Sequence, residues 1–267
     1  MKYSFMTFSC PSLSLDEVLS VAREYGYDGI EPRIEAGHKH GVELTADGKQ
    51  RKEIRKKAVR SGIEICCVAT SCRYADPAKA EESVEIALKS IDLAANIGCS
   101  RIRVFGGGIP SGLSRAKATE QVRESLLHLG DHAAERKVTV CVETHDDWCR
   151  PEDLAEVLHQ VDHPAIAVNW DIMHPIMIGG ATMDEAFEVL KSWIRHVHFH
   201  DGIKTAASME LSPVGEGIID HKKAVRLLGG IGYQGFLSGE WINWRPYEDY
   251  LAAELATMKG YEQNCRG

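Results

Sequence analysis

Residues 194–202, Ile-Arg-His-Val-His-Phe-His-Asp-Gly, place histidines at positions 196, 198 and 200. Alternate side chains of a β-strand face the same side, so three imidazoles in this pattern share one edge. Imidazole is a good ligand for divalent transition metals. Three acidic residues close other short apolar runs: Glu143 after Val138-Thr139-Val140-Cys141-Val142, Asp171 after the run from Ala165 to Trp170, and Glu240 after the run from Gly235 to Gly239. If these runs are strands of one sheet, their ends bring three carboxylates and a histidine into one cleft. Crowded carboxylates repel and raise one another's pKa values, and a divalent cation relieves that repulsion. A mixed oxygen and single-imidazole set suits one divalent ion, Mn²⁺, Mg²⁺, Co²⁺ or Zn²⁺. Strand alternation alone does not rank the three histidines.

These residues need a scaffold that lines up strand ends, and the chain alternates strand-like and helix-like segments throughout. A first strand is expected over Tyr3 to Phe8, followed by a helix opened by a Ser14–Glu17 capping box and closed by Gly26. The second strand ends Glu31-Pro32-Arg33, a basic helix covers about 47–61, and the third strand runs from Ile63 to Ala69. Pro77 and Gly98 bracket the next helix; a strand follows from Arg101 to Phe105, then a helix from Ser114 to about Arg136. Helices opened by Pro151 and by a Thr182–Glu185 capping box flank the 165–170 strand, a helix near 220–229 precedes the last strand, and a final helix covers about 247–259. Eight strand–helix units whose strands read as short apolar runs favour an α/β fold, a single (β/α)8 barrel spanning 1–267. In such barrels chemistry sits at the C-terminal strand ends. Gly106-Gly107-Gly108 reads as a tight strand exit, and Trp148, Trp170 and Trp241 read as packing beside site residues.

Bulk properties narrow the function classes. The 267 residues carry a net charge of -8, against a nucleic-acid partner, which normally needs a basic surface. The densest basic stretch, Lys49 to Arg60, reads as a solvated helix face. No apolar run reaches the ~18 residues of a membrane helix, and the N-terminus lacks a signal-peptide pattern. Eight scattered cysteines without a CxxC motif suggest free thiols in a reducing cytoplasm.

The segments VETH (142–145), WDIMH (170–174), HVHFHDG (196–202) and SGEW (238–241), with the approach PVGEGIIDHKKAVRLLGGIGYQGFL, resemble strand-end motifs of the xylose isomerase-like TIM barrel superfamily. The resemblance extends over nearly the whole barrel, and its second half is the specific part. It implies metal ligation by Glu143, Asp171, His198 and Glu240. His198 is selected because the metal histidine of that pattern lies three residues before an acid, here Asp201. It also implies that His174 contacts a substrate oxygen and that Lys204 stands where related epimerases often place arginine. The second glutamate that ketohexose 3-epimerases carry six residues after the first is replaced by Cys149. Histidines that complete the multi-metal site of the endonuclease branch have no obvious counterpart in His38 and His40, nor at Thr70-Ser71-Cys72.

The chemistry implied is proton abstraction beside a carbonyl of a small sugar, sugar phosphate or polyol ketone. Glu143 and Glu240 exchange the proton, and His145, His174, His200, Arg33, Arg103 and Lys204 orient hydroxyls or a phosphate. His145 reads equally well as a partner of Asp146 or Asp147, Arg103 as the neutraliser of a buried acid, and His196 as structural. A lyase of the inosose or dehydroshikimate dehydratase type is the alternative on the same scaffold. Phosphoester hydrolysis of damaged DNA and a non-catalytic sugar-binding role rank below it. A homo-oligomer is compatible with the sequence.

Overall fold

The computed structural model describes residues 1–205 and 209–266. Strands β1 (Lys2–Met6) and β2 (Gly29–Glu31) are followed by β3 in two pieces, Glu64–Ile65 and Val68–Arg73; then come β4 (Arg101–Phe105), β5 (Thr139–Glu143), β6 (Ile166–Asp171), β7 (Ile194–Phe199) and β8 (Phe236–Gly239). Between them lie α1 (Leu15–Tyr25), α2 (Gly48–Ser61), α3 (Pro77–Ile97), α4 (Arg115–Arg136), α5 (Pro151–Val161), α6 (Met183–Leu190) and α7 (His221–Gly230), with α8 (Leu251–Arg266) at the end. All neighbouring barrel strands are parallel, in the ring order β2–β1–β8–β7–β6–β5–β4–β3. The broken third strand closes the ring. Its first piece pairs with β2 and its second with β4, while Cys66 N–H donates to Ile30 O at 3.0 Å and Ala69 N–H to Pro32 O at 2.9 Å.

The helix signals in the sequence act locally as expected. Ser14 N–H donates to Glu17 Oε2 at 2.7 Å and Thr182 N–H to Glu185 Oε2 at 2.8 Å, so both acids cover an otherwise unpaired backbone donor. Asp47, Asp76, Ser114 and Asp220 accept from first-turn amides of α2, α3, α4 and α7. Three expectations shift. β1 stops at Met6 because Thr7–Ser9 forms a 3-10 turn. β3 breaks at Cys66-Cys67 and runs on to Arg73, and α8 begins only after a separate turn at Tyr247–Asp249. Trp148, Trp170 and Trp241 are fully buried and therefore pack. Trp148 Nε1 donates to Gly107 O at 2.8 Å, which ties down the triple-glycine exit of β4. All eight cysteines are free thiols, and only Cys265 is exposed. Among the described residues, no helix is long and apolar enough to cross a membrane.

An antiparallel hairpin, Asp201–Lys204 with Met209–Ser212, follows β7. Asp201, fully buried, organises the return from it: its carboxylate accepts from the amides of Gly202 (2.8 Å), Gly215 (2.9 Å), Gly217 (3.1 Å) and Ile219 (3.1 Å). A Cβ on Gly217 would lie 2.0 Å from Asp201 Oδ1, so only glycine lets the loop approach this closely. From the other side, Val214 N–H donates to Glu254 Oε2 on α8 at 3.0 Å.

Burial raises the Glu254 carboxyl to about 7, against the opposing bond from Val214. A raised acid holds its proton longer in the folded chain than in the unfolded one, so this residue's contribution to stability falls as pH rises from about 4.5 to 7. Glu254→Gln should therefore match the parent in thermal midpoint near pH 5 and exceed it near pH 8. Calorimetric melts at both pH values check this, and an equal difference at the two would refute it.

Candidate metal centre and pocket

Strand register explains how the acids meet. Glu143 on β5 lies level with Asn169 on β6, Asp171 with His198 on β7, and His198 with Ser238 on β8. Inward side chains step by two between some neighbours, as the shear of a closed barrel requires. Glu143, Asp171, His198 and Glu240 each offer one ligand atom, and all four atoms lie within 4.8 Å of one another in buried surroundings. His198 Nδ1 is 3.2 Å from Glu240 Oε2 and 3.5 Å from Glu143 Oε1. Glu240 is aimed by its successor: a Cβ on Gly239 would lie 2.1 Å from the Trp241 ring, which packs edge-on against Phe199 at 5.4 Å.

The donor set fits a divalent cation. Among the described residues, both carboxylate oxygens of Glu143 are buried without a hydrogen-bond donor. Arg103 Nε stands 2.9 Å from Glu143 Oε2 as an ion pair, but out of hydrogen-bond alignment. Three carboxylates and one imidazole nitrogen in this space are a set that hard to borderline divalent ions bind. Burial opposes protonation of His198, yet Glu31, Glu143 and Glu240 together hold it well above the usual histidine range. Burial likewise works against ionisation of Asp171 and Glu240, but the neighbouring histidines hold both carboxyls well below the usual range.

Three of the candidate substrate residues line up as imidazoles along the pocket. His145 and His174 rings are 4.4 Å apart and His174 and His200 rings 5.6 Å apart. At one end His145 Nδ1 sits 3.0 Å from Asp146 Oδ1, and at the other His200 Nε2 sits 2.8 Å from Asp171 Oδ2. Burial lowers His145, but Asp146 and Glu143 outweigh it and raise the ring to about 9, so it carries a proton at neutral pH. His174 differs: burial leads and lowers it, and its buried Nδ1 has no hydrogen-bond partner among the described residues. A neutral imidazole with a free nitrogen is equipped to exchange a hydrogen bond with a ligand oxygen.

The remaining candidates lie elsewhere. Arg103 is buried beneath Glu143, donates to Thr70 O at 2.8 Å, and stacks over Phe105 at 4.2 Å. Arg33 bridges the ends of β2 and β3 through Ile34 O, Ala69 O and Ser71 Oγ. Lys204 is exposed on the hairpin, paired with Met209.

A model of the xylose isomerase-like TIM barrel matches residues 19–261. The chain belongs to that family. Among relatives of the family, 3-dehydroshikimate dehydratase of Bacillus anthracis is 24% identical across 97% of this chain and 96% of its own length. L-ribulose-5-phosphate 3-epimerase of Salmonella heidelberg is 22% identical across 91% and 87%. The crystal structure of the probable 3-DHS dehydratase AsbF from Bacillus anthracis superimposes with a TM-score of 0.80 at 23% identity, covering 97% of this chain and 99% of that one. A structure of L-ribulose 3-epimerase gives 0.82 at 17% identity, covering 99% and 95%. These superpositions establish the barrel, and the named relatives are enzymes.

For this member of the family, one buried acid escaped the sequence expectations. Glu31, the last residue of β2, is fully buried and lies 3.1 Å from His198 Nε2 through each of its oxygens and 2.7 Å from His196 Nε2. With a cation on Nδ1, Glu31 would fix the His198 tautomer by accepting the hydrogen on Nε2. Glu31 also stands at a strand end, but Asp28-Gly29-Ile30 before it is not an apolar run like those before the other acids. Its partners stand on β7, three places around the ring from β2, and no local pattern conveys that.

Carboxylates behind metal histidines typically tune affinity by ~10- to 100-fold. Glu31→Gln should weaken Mn²⁺ binding by about tenfold or more while far-UV circular dichroism stays unchanged, as titration calorimetry would record. Parental affinity in the variant would remove Glu31 from the support of His198.

Proposed function

We propose that this enzyme is a metal-dependent isomerase or epimerase of a small sugar, sugar phosphate or polyol ketone, working by proton transfer beside a carbonyl. The observation that carries the reading is the placement of two buried glutamates from β5 and β8, Glu143 and Glu240, on the same face of His198 and within 3.5 Å and 3.2 Å of its Nδ1. Glu143, Asp171, His198 and Glu240 would hold the ion. When bound, a divalent cation supplies Lewis acidity that polarises a carbonyl and favours its enediolate.

The chain's own groups supply the rest. One glutamate takes the proton from the carbon next to the carbonyl, and the electron pair moves onto the carbonyl oxygen. The other delivers a proton to the opposite face of that carbon, or to its neighbour, which separates epimerisation from isomerisation. Arg103 pairs with Glu143 at 2.9 Å, and neutral His174 hydrogen-bonds a substrate oxygen through its Nδ1. The closed barrel wall and buried tryptophans exclude water from below.

A dehydratase is the second reading, and two observations favour it. The dehydratase relative matches nearly end to end. His145, protonated at neutral pH beside Asp146, is poised to give a proton to a departing hydroxyl. In that course a glutamate takes the same α-proton, the carbon–oxygen bond at the β-carbon breaks, and His145 delivers its proton so that water leaves. The eight free cysteines support a reducing compartment such as the cytoplasm.

Proton–deuterium exchange tests the shared first step. Mn²⁺-loaded protein in heavy water, offered ketoses, ketose phosphates and cyclic hydroxyketones, should exchange one α-proton of its substrate, read by NMR. An enone absorbance would mark dehydration. Glu143→Gln and Glu240→Gln should each slow exchange by ~10²- to 10⁴-fold, and chelation of the metal should abolish it. Metal content of both variants is measured in parallel. Undiminished exchange in both metal-loaded variants would sink the two-glutamate mechanism.

A further inference from the structure

The barrel has a second mouth, and it is cationic. At the N-terminal strand ends, opposite the metal cluster, Arg101, Arg195, Lys191, Ile231, Tyr233 and Gln234 line a cavity of about 570 Å³. Small-molecule sites fill roughly 300–1,000 Å³. Among the described residues no acidic side chain lines it, although the chain holds 39 acids against 31 lysines and arginines. An acidic protein thus keeps acids out of this one depression.

Two arginines are built into it. Arg101 opens β4, and Arg195 is the second residue of β7, three places around the ring. Arg101 is half-buried and reaches across: Nε donates to the Arg195 carbonyl at 2.9 Å and Nη1 to Ser100 Oγ at 3.3 Å. Arg195 Nη1 donates to the carbonyls of Ser192 at 3.0 Å and Ile194 at 2.9 Å. All these acceptors are neutral, and among the described residues neither guanidinium has a carboxylate within ion-pair distance. That leaves Nη2 of Arg101, and Nε and Nη2 of Arg195, without an acceptor there. Nε with Nη2 is the side-on fork that matches two oxygens of a phosphate. Lys191 adds a cation at the rim, shared with Glu188 at 2.6 Å. Burial pushes the Tyr233 phenol up while Arg101 and Arg195 both draw it down, so the two charges act on one spot. Tyr233 is fixed there. Its Oη donates to Phe236 O at 3.0 Å, and a Cβ on Gly235 would lie 2.4 Å from that oxygen. Beside it Ile231 is 45% exposed.

We propose that this N-terminal mouth binds a phosphate monoester, its phosphoryl oxygens on Arg101 and Arg195 and its organic part against Tyr233 and Ile231. A merely solvated basic face, the plain alternative, needs neither a cavity between its cations nor a guanidinium stretched between strands that are not neighbours. Half-burying a charge without a counterion is costly, and a bound anion offsets that cost. The unused N–H groups of two arginines suit the three oxygens of a phosphate better than the two of a carboxylate. The metal ligands stand at the other end of the strands, so the ligand here is an effector or a stabiliser of the barrel and not the substrate. The site is independent of the reaction proposed for the metal centre.

Calorimetric titration of phenyl phosphate, inorganic phosphate, benzoate and phenol into the full chain tests this, with and without prior chelation of metal. Phenyl phosphate should fill one site per chain that survives chelation. It should bind about threefold or more tightly than inorganic phosphate or benzoate, and phenol should not bind. Arg195→Gln removes the fork, and Ser192→Glu places a carboxylate at the cavity wall; both positions are exposed. Each variant should weaken phenyl phosphate by about tenfold or more, with far-UV circular dichroism unchanged. Four results would each overturn the proposal. They are absence of saturable binding, equal affinity for phenyl phosphate and either inorganic phosphate or benzoate, loss of all binding on chelation, which would place the phosphate on the metal, and parental affinity in both variants.

Discussion

Burial of carboxylates is the constraint that organises this barrel. Glu31, Glu143, Asp171 and Glu240 all sit at its inner mouth with little or no solvent contact. An ion taken from water into a protein interior costs several kcal/mol unless partners replace its hydration. Each acid has its own answer. Glu31 is met by two imidazoles, Asp171 by His200 and the amides of Met173 and His174, Glu240 by His198, and Glu143 by Arg103. The compensation is uneven, and it is least complete at Glu143, where neither oxygen has an aligned donor. A cation at that point would complete the set, which is why the metal centre and the stability of the mouth are one problem.

Geometry comes from the strands and precision from what packs behind them. The barrel sets which side chains point inward and how far each is staggered from its neighbours. Residues that never touch a ligand then remove the slack. Trp241 packs against Phe199 beside Glu240, Glu31 lies against His198 Nε2, and Thr144, whose hydroxyl donates to Asp171 O at 3.1 Å and accepts from Asp171 N–H at 3.0 Å, pins β5 to β6 beside two of the acids. Asp201 works similarly one layer out. In the motif it stands three residues after the metal histidine, and its physical role is to gather four amides of the chain around the β7 hairpin.

The barrel was legible in the sequence because each unit carries its own local marks: apolar runs of strand length, capping boxes and helix-closing glycines. The grouping of Glu143, Asp171, His198 and Glu240 was legible because acids at the ends of apolar runs recur in the same position of successive units. What stayed hidden depends on distance around the ring. Glu31 also stands at a strand end, but without an apolar run before it, and its partnership with His196 and His198 spans more than 160 positions of sequence. The break at Cys66-Cys67 and the hairpin after β7 were also hidden, because pairing across strands decides them and the residues involved show no periodicity of their own. Arg103 was read as either a substrate contact or the neutraliser of a buried acid, and its contact with Glu143 satisfies the second description.

The pocket is electrically lopsided, and that bears on the reaction. On the β5–β7 side run three imidazoles, of which His145 and His200 are raised by their carboxylate partners while His174 between them is lowered. Raised outer rings around a lowered middle one are the pattern of least repulsion among neighbouring imidazoles. It leaves an acid, His145, at the outer end of the row and an acceptor-capable ring at its centre. An enzyme that only moves a proton between two glutamates has no need of a third acid. One that also expels a hydroxyl does, because hydroxide is a poor leaving group until it is protonated. At Cys149, where ketohexose 3-epimerases carry a further glutamate, the side chain donates to Asp146 O at 3.0 Å and is buried. The position thus supports the loop that holds Asp146, the partner of His145, and contributes no carboxylate of its own. Both features place an imidazole where a further carboxylate could have stood, the group that the proposed dehydration course would use and that proton transfer between Glu143 and Glu240 would not.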